Sequence, residues 1–144
     1  MSYLEIYGIK EEIRDLLNPK SNNLKIRESH NEIFVQNLSF KYVSSTDEVM
    51  QLLAQGERNR TTTSTMSNEV SSRSHSILIL HNVFKLLDGR ELSSKLINVD
   101  LAGSERVSKT LASGTTLEEG KAINSSLSAL GLCIDAISSN RKHV

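Results

Sequence analysis

Cysteine and proline each occur once in 144 residues, and 17 basic side chains are matched by 17 acidic ones, for a formal charge of zero. Each scarcity removes a class of protein. Cys133 has no partner with which to close a disulfide within the chain, which excludes a small secreted disulfide scaffold and points to a reducing compartment, the cytoplasm. Without net charge there is no global field for nucleic acid or an anionic bilayer, so an electrostatic partner must be met by a local patch. No apolar run approaches the roughly 20 residues that cross a membrane, and the opening from Met1 to Lys10 lacks the charged, apolar, small-residue order of a secretory leader. Membrane insertion and nucleic-acid binding are not expected. His30, His75, His81 and His143 fall at no metal-ligand spacing, so no zinc is expected either. The sequons at Asn37, Asn59 and Asn124 are short enough to arise by chance.

What is present suffices for one core, since 38% of the residues are hydrophobic and the length fits a single domain or a piece of one. Tyr3 to Tyr7 alternates like a strand. Glu11 to Leu17 places Ile13, Leu16 and Leu17 at helical spacing ahead of Pro19, which predicts a short helix there. After a polar loop at Lys20 to Asn23, the pairs Leu24/Ile26 and Ile33/Val35 predict two short strands. Ser45 and Glu48 have capping-box spacing, so a helix is expected from about Thr46 toward Arg58, weakened in its second half by Gly56. Thr61 to Ser76 is hydroxyl-rich and without apolar period. Ile77 to Leu86, the Asp88-Gly89 turn signal and Leu96 to Leu101 predict an antiparallel pair in the core. Ile123, Leu127, Leu130, Ile134 and Ile137 then repeat at spacings of four and three, as in a long amphipathic helix.

Two loops carry chemistry. Asp100-Leu101-Ala102-Gly103-Ser104-Glu105 sets a carboxylate at a strand's end with a glycine three residues on. A carboxylate there can hold a magnesium-bound water, and a glycine lets its N–H approach a phosphate oxygen. Alone the pattern is weak, because an Asp and a Gly bounding any surface turn produce it. The second stretch, Asn68 to His75, offers hydroxyls for a cation and Arg73 for a carboxylate or phosphate; a serine-rich turn with one exposed arginine is the commoner meaning of such a run.

The strings N-x-x-S-S-R-S-H (Asn68 to His75), D-L-A-G-S-E (Asp100 to Glu105) and I-N-S-S-L-S-A-L-G (Ile123 to Gly131), together with Ser2 to Tyr7 and Glu12 to Leu17, resemble the kinesin motor domain in content, order and spacing. The match covers nearly the whole chain. The resemblance implies an α/β fold of the P-loop NTPase type, three-layered with a mixed central sheet and incomplete at both ends. It implies a first switch over about 61–76, a second over about 100–116 and a relay helix over about 117–139, in an ATPase that moves on microtubules. Asn68 would then help bind ATP, Ser71 would lie near its γ-phosphate and the attacking water, and Ser72 would join the Mg2+ shell. Asp100 would hold Mg2+ through water, Gly103 would donate its N–H to the γ-phosphate, and Arg73 and Glu105 would close the switches by a salt bridge. Asn124 would sit on the relay helix. Arg106, Lys109, Lys121, Lys25 and Arg27 become candidate contacts to acidic microtubules (tubulin).

One element of that family's pattern is missing from the 144 residues. No G-x-x-x-x-G-K-[S/T] loop is present to cradle the β- and γ-phosphates. Gly114 to Lys121 imitates it, but five residues separate Gly114 from Gly120 and Ala122 stands where a hydroxyl is needed. Without that loop the chain alone is expected to be inactive; the oligomerisation region and the motor's last strand and helix are also not in this chain, which looks like an internal piece. Val70 and the Gly8-Ile9-Lys10 turn depart from the usual pattern without touching the switch residues. The alternative is a nucleotide-free motor-homology module that grips microtubules or a kinesin partner. Retention of Ser72, Arg73, Asp100, Gly103 and Glu105 argues against it. A guanine-nucleotide switch would need N-K-x-D, which does not occur.

Overall fold

Alternation along Ser2–Tyr7 produces strand β1, whose Tyr3 and Glu5 share one face and Leu4 and Ile6 the other. The computed structural model describes residues 1–30, 32–62, 74–103, 115–139 and 141. Within them the elements run β1, β2 (Glu12–Asp15), β3 (Lys25–Ser29), β4 (Glu32–Gln36), α1 (Thr46–Thr62), β5 (His75–Lys85), β6 (Glu91–Asp100) and α2 (Thr115–Ser138). A four-stranded sheet has the order β2-β1-β5-β6, and β3-β4 forms a separate ribbon. Every pairing among the described residues is antiparallel.

The helix expected over residues 11–17 is instead strand β2 and a turn. Gly8, at φ 73°, and Glu11, at φ 51°, reverse the chain after β1, with the Glu11 N–H bonded to the Gly8 carbonyl at 3.1 Å. The returning strand then places Arg14 opposite Glu5 and Glu12 opposite Tyr7. Leu16 and Leu17 owe their burial to the following turn, where Asp15 accepts from the Leu17 and Asn18 N–H groups at 2.8 and 3.1 Å. The spacing of Ile13, Leu16 and Leu17 satisfies a helix face and a strand-plus-turn equally, and the tight turn before it decides between them.

Helix α1 starts as its cap predicts, with Ser45 Oγ accepting from the Glu48 N–H at 3.2 Å. The reciprocal half is displaced by one residue: Glu48 accepts from the N–H of Ser44, not of Ser45. The helix outruns its expected end at Arg58 and continues to Thr62. The helix runs on past Gly56, a position that lies directly against the Tyr3 ring, where no Cβ fits. The added turn is anchored by Asn59, which donates to the Leu16 carbonyl at 2.7 Å.

Tyr3, Leu16 and Leu17 form the core, with Leu52, Leu53 and Leu78 packed against them, so α1 covers the Tyr3/Leu78 face of the sheet. Strand parity sends His75 and Ile77 to the opposite face, where α2 meets the sheet through Ile123 and Ser126. The β5–β6 hairpin pairs Ile77 with Val99 and Leu80 with Leu96, and turns at Asp88-Gly89 as the sequence predicts. Its expected place in the core is not observed: β6 is exposed at every position, and Val83, Phe84, Leu92, Leu96 and Ile97 are open to solvent. On α2, Ile123 is buried, whereas Leu130, Ile134 and Ile137 of the same stripe are exposed. No helix among the described residues is long and apolar enough to cross a membrane.

Candidate functional site

Residue Ser76 near the start of β5 pairs with Asp100 at the end of β6, so the segments before β5 and after β6 leave the sheet side by side. Arg60, projected from the last turn of α1, reaches across this end. Its Nη2 donates to the Ser74 carbonyl at 3.1 Å and to Ser74 Oγ at 3.3 Å, and its Nη1 donates to Ser76 Oγ at 3.3 Å and Asp100 Oδ2 at 3.0 Å. Its Nε lies 3.6 Å from the buried Glu5 carboxylate, which Arg14 also approaches at 3.3 Å. Burial disfavours the Arg60 charge, but the Asp100 hydrogen bond and the carboxylates of Glu5, Asp100 and Glu57 outweigh it and raise its pKa. One guanidinium thus ties α1, β1, β5 and β6 together at the mouth of both loops.

The carboxylate of Asp100 is itself accessible, with 68% of the side chain exposed, and Arg60 fixes one of its oxygens. Gly103 is half-buried and Ala102 fully buried just beyond it. Ala102 donates its N–H to His75 Nδ1 at 3.1 Å. A nitrogen that accepts carries no proton, so the imidazole proton is on Nε2, which stands 3.2 Å from Ser126 Oγ on α2. Burial, the largest influence on this ring, lowers the His75 pKa and keeps it neutral. The sign follows: the stabilisation is full above the ordinary value of about 6.5 and is lost as pH falls from there through the lower folded-state value. Unfolding midpoints should therefore drop on acidification, and His75→Gln should flatten the drop. His81, lowered chiefly by burial as well, supplies a residual slope. An identical slope in the variant would count against this assignment.

Of the sequence-predicted site residues, Asp100 and Gly103 are brought to this sheet end. Asn124 is half-buried on α2, two residues before Ser126. Lys25 and Arg27 lie apart from the site, exposed on the β3–β4 ribbon, where Arg27 donates to Gln36 at 3.0 Å. Lys121 is exposed on α2 and paired with Glu118 at 2.7 Å. Asn68, Ser71, Ser72, Arg73, Glu105, Arg106 and Lys109 lie outside the described residues, and with them the expected Arg73–Glu105 salt bridge. Sequence reasoning missed Arg60 and Glu5. Glu5 carries a usable signal, a charge of the same strand parity as core Tyr3; Arg60 is visible only as the middle of a chance sequon.

A family model described as the kinesin motor domain matches residues 1–144. Kinesin-related protein 5 of Dictyostelium discoideum is 53% identical over 99% of this chain and 14% of its own length. The kinesin heavy chain of Caenorhabditis elegans is 46% identical over 99% of this chain and 17% of its own. Among solved structures, a fast kinesin superposes with a TM-score of 0.82 at 47% identity, covering 98% of this chain and 40% of that one. A KIF14 dimer in a two-heads-bound state, with AMP-PNP and a microtubule, gives 0.77 at 36% identity over 96% and 41%. The chain belongs to the kinesin motor domain family, as its sequence strings imply. It corresponds to about a seventh of the length of the first of these relatives and two fifths of the solved motors.

Proposed function

We propose that this chain is the segment of a microtubule-stimulated ATP motor that senses the γ-phosphate and passes its presence to a microtubule-facing helix. The observation that carries the reading is the convergence at one sheet end: Arg60 bonds both Ser74, where the first loop enters β5, and Asp100, where the second leaves β6. A cation shared between the two loop roots gives them a common reference. In this reading residues 61–76 are the first switch, 100–116 the second, and the helix over about 117–139 the relay that carries Asn124, in a cytoplasmic protein of the microtubule cytoskeleton.

The residues at the site suit Mg2+ with ATP. An exposed carboxylate held in direction by Arg60 is a fitting partner for a metal-bound water, and Gly103 presents its N–H without a Cβ in the way. Bound there, the cation would neutralise phosphate charge. Ser72 and Asp100 would hold it, Asn68 and Ser71 would face the nucleotide, and Glu105 would meet Arg73 to order the attacking water. Contacts to the γ-phosphate would hold both loops, so that its loss would release them and shift α2. Lys25, Arg27, Arg106, Lys109 and Lys121 would face the acidic track.

The test is a hybrid motor in which residues 1–144 replace the matching stretch of the fast kinesin. Microtubule-activated ATP turnover is expected, and Asp100→Ala or Glu105→Ala should lower it on the order of a hundredfold or more. Microtubule binding that ignores nucleotide would favour the binding-module reading instead. The 144-residue chain alone, having no G-x-x-x-x-G-K-[S/T] loop, should give no heat with Mg-ATP in calorimetry. Micromolar binding abolished by Asp100→Ala would overturn that expectation.

A further inference from the structure

Among the described residues, helix α2 meets the sheet around Ile123 and Ser126. Ile123 is its buried hydrophobic residue among those described, and His75–Ser126 is the hydrogen bond that joins α2 to the sheet among the described residues. The seam around it brings Ile6, Ala122 and Ile123 together with the polar Tyr7, Glu11 and Ser126 and leaves a space of about 10 Å³. That is about the space of one water, and the His75–Ser126 hydrogen bond spans the seam directly. Apolar contact is non-directional, whereas a hydrogen bond has direction, so the His75–Ser126 contact sets register.

We propose that His75 is the positioning residue that couples the second loop to α2, a neutral imidazole bonded at one nitrogen to the Ala102 N–H and at the other to Ser126. This rests on the motor reading above, which gives the two ends their meaning. Ala102 lies between Asp100 and Gly103, the residues assigned to Mg2+ and phosphate. Ser126 passes the contact on, donating its hydroxyl to the Ile123 carbonyl at 2.9 Å, beside the helix's buried anchor. The imidazole ring is rigid, so a displacement of the Ala102 peptide that keeps its bond must turn the edge facing Ser126. For the bond to Ser126 to survive that turn, α2 must move with the ring, so the phosphate-sensing backbone moves α2 through one side chain.

Nitrogen NMR of the 144-residue chain should show His75 unprotonated at Nδ1 and protonated at Nε2 at neutral pH; a protonated Nδ1 overturns the link. Ser126→Ala is the decisive variant, because alanine is a better helix former than serine and the helix itself is not endangered. Although Ser126 does not touch Ala102, its removal should speed exchange of the Ala102 amide by about tenfold, the size expected from loss of one net hydrogen bond. Unchanged exchange there sinks the coupling. In the hybrid motor, His75→Asn keeps an acceptor near the Nδ1 position but cannot reach Ser126. It and Ser126→Ala should lower microtubule-activated turnover alike, and the double variant no further; independent, multiplying losses overturn the proposal. A hybrid that ignores microtubules even with His75 and Ser126 intact sinks the motor reading, while the nitrogen spectrum and amide exchange still decide the link.

Discussion

Replacing Glu5 by glutamine should cost about 3–5 kcal/mol of folding stability, the loss expected when one member of a buried charge network is neutralised. Glu5 is fully buried, 3.3 Å from Arg14 Nη1 and 3.6 Å from Arg60 Nε. Glutamine has the same shape, so no cavity opens and the effect is electrostatic. It leaves two guanidiniums, each at most 10% exposed in its side chain, without the carboxylate between them. Arg60 keeps Asp100, but 68% of that side chain is exposed, so water screens the attraction. Asp100→Asn should accordingly cost about 1 kcal/mol or less, although both acids pair with the same arginine. A urea titration of the two variants decides it through the midpoint at constant slope. Equal losses would mean that Glu5 is hydrated and that the network is not the girder it looks to be.

The contrast between Glu5 and Asp100 also explains how far the sequence could be read. Period-two alternation locates β1, β3 and β4, and a continuous apolar run with the Asp88-Gly89 turn locates the β5–β6 hairpin, because such signals are local. Residues 11–17 misled because three apolar side chains at helical spacing are also what a strand running into a turn presents. Exposure of β6 and of Leu130, Ile134 and Ile137 was not legible, since an apolar pattern states what a segment can cover and not what lies opposite it. The site was legible in a different way: Asp100 and Gly103 had a physical rationale, while most of the roles assigned to residues 68–75 and 104–109 came from the kinesin strings. Arg60 escaped because its partners, Glu5, Ser74, Ser76 and Asp100, come from three strands and a loop entry brought together only by the fold.

Gly56→Ala is the second large effect, and it should carry the opposite sign from the same change at Gly131. In a helix interior alanine is favoured over glycine by about 1 kcal/mol. At Gly131 nothing lies within 4 Å of the added Cβ, so the exchange should stabilise the chain by up to about that amount. At Gly56 the new atom would stand 2.2 Å from Tyr3 Cδ1 and 2.6 Å from Cε1. The ring cannot retreat: Tyr3 is buried among Leu16 and Leu17, and its hydroxyl donates to Glu57, the residue beside the glycine. Overpacking at such a site costs about 1–3 kcal/mol or more, and the net loss should be about 2 kcal/mol once helix propensity is credited. Thermal melts of the two variants give the comparison, and a stabilised Gly56→Ala would show that α1 is free to move off β1. That freedom would matter for the site, because the turn that follows Gly56 carries Asn59 to Leu16 and Arg60 to Asp100. A helix pushed off the sheet at Gly56 draws Arg60 away from both loop roots, so loss of activation in the hybrid motor should accompany the loss of stability.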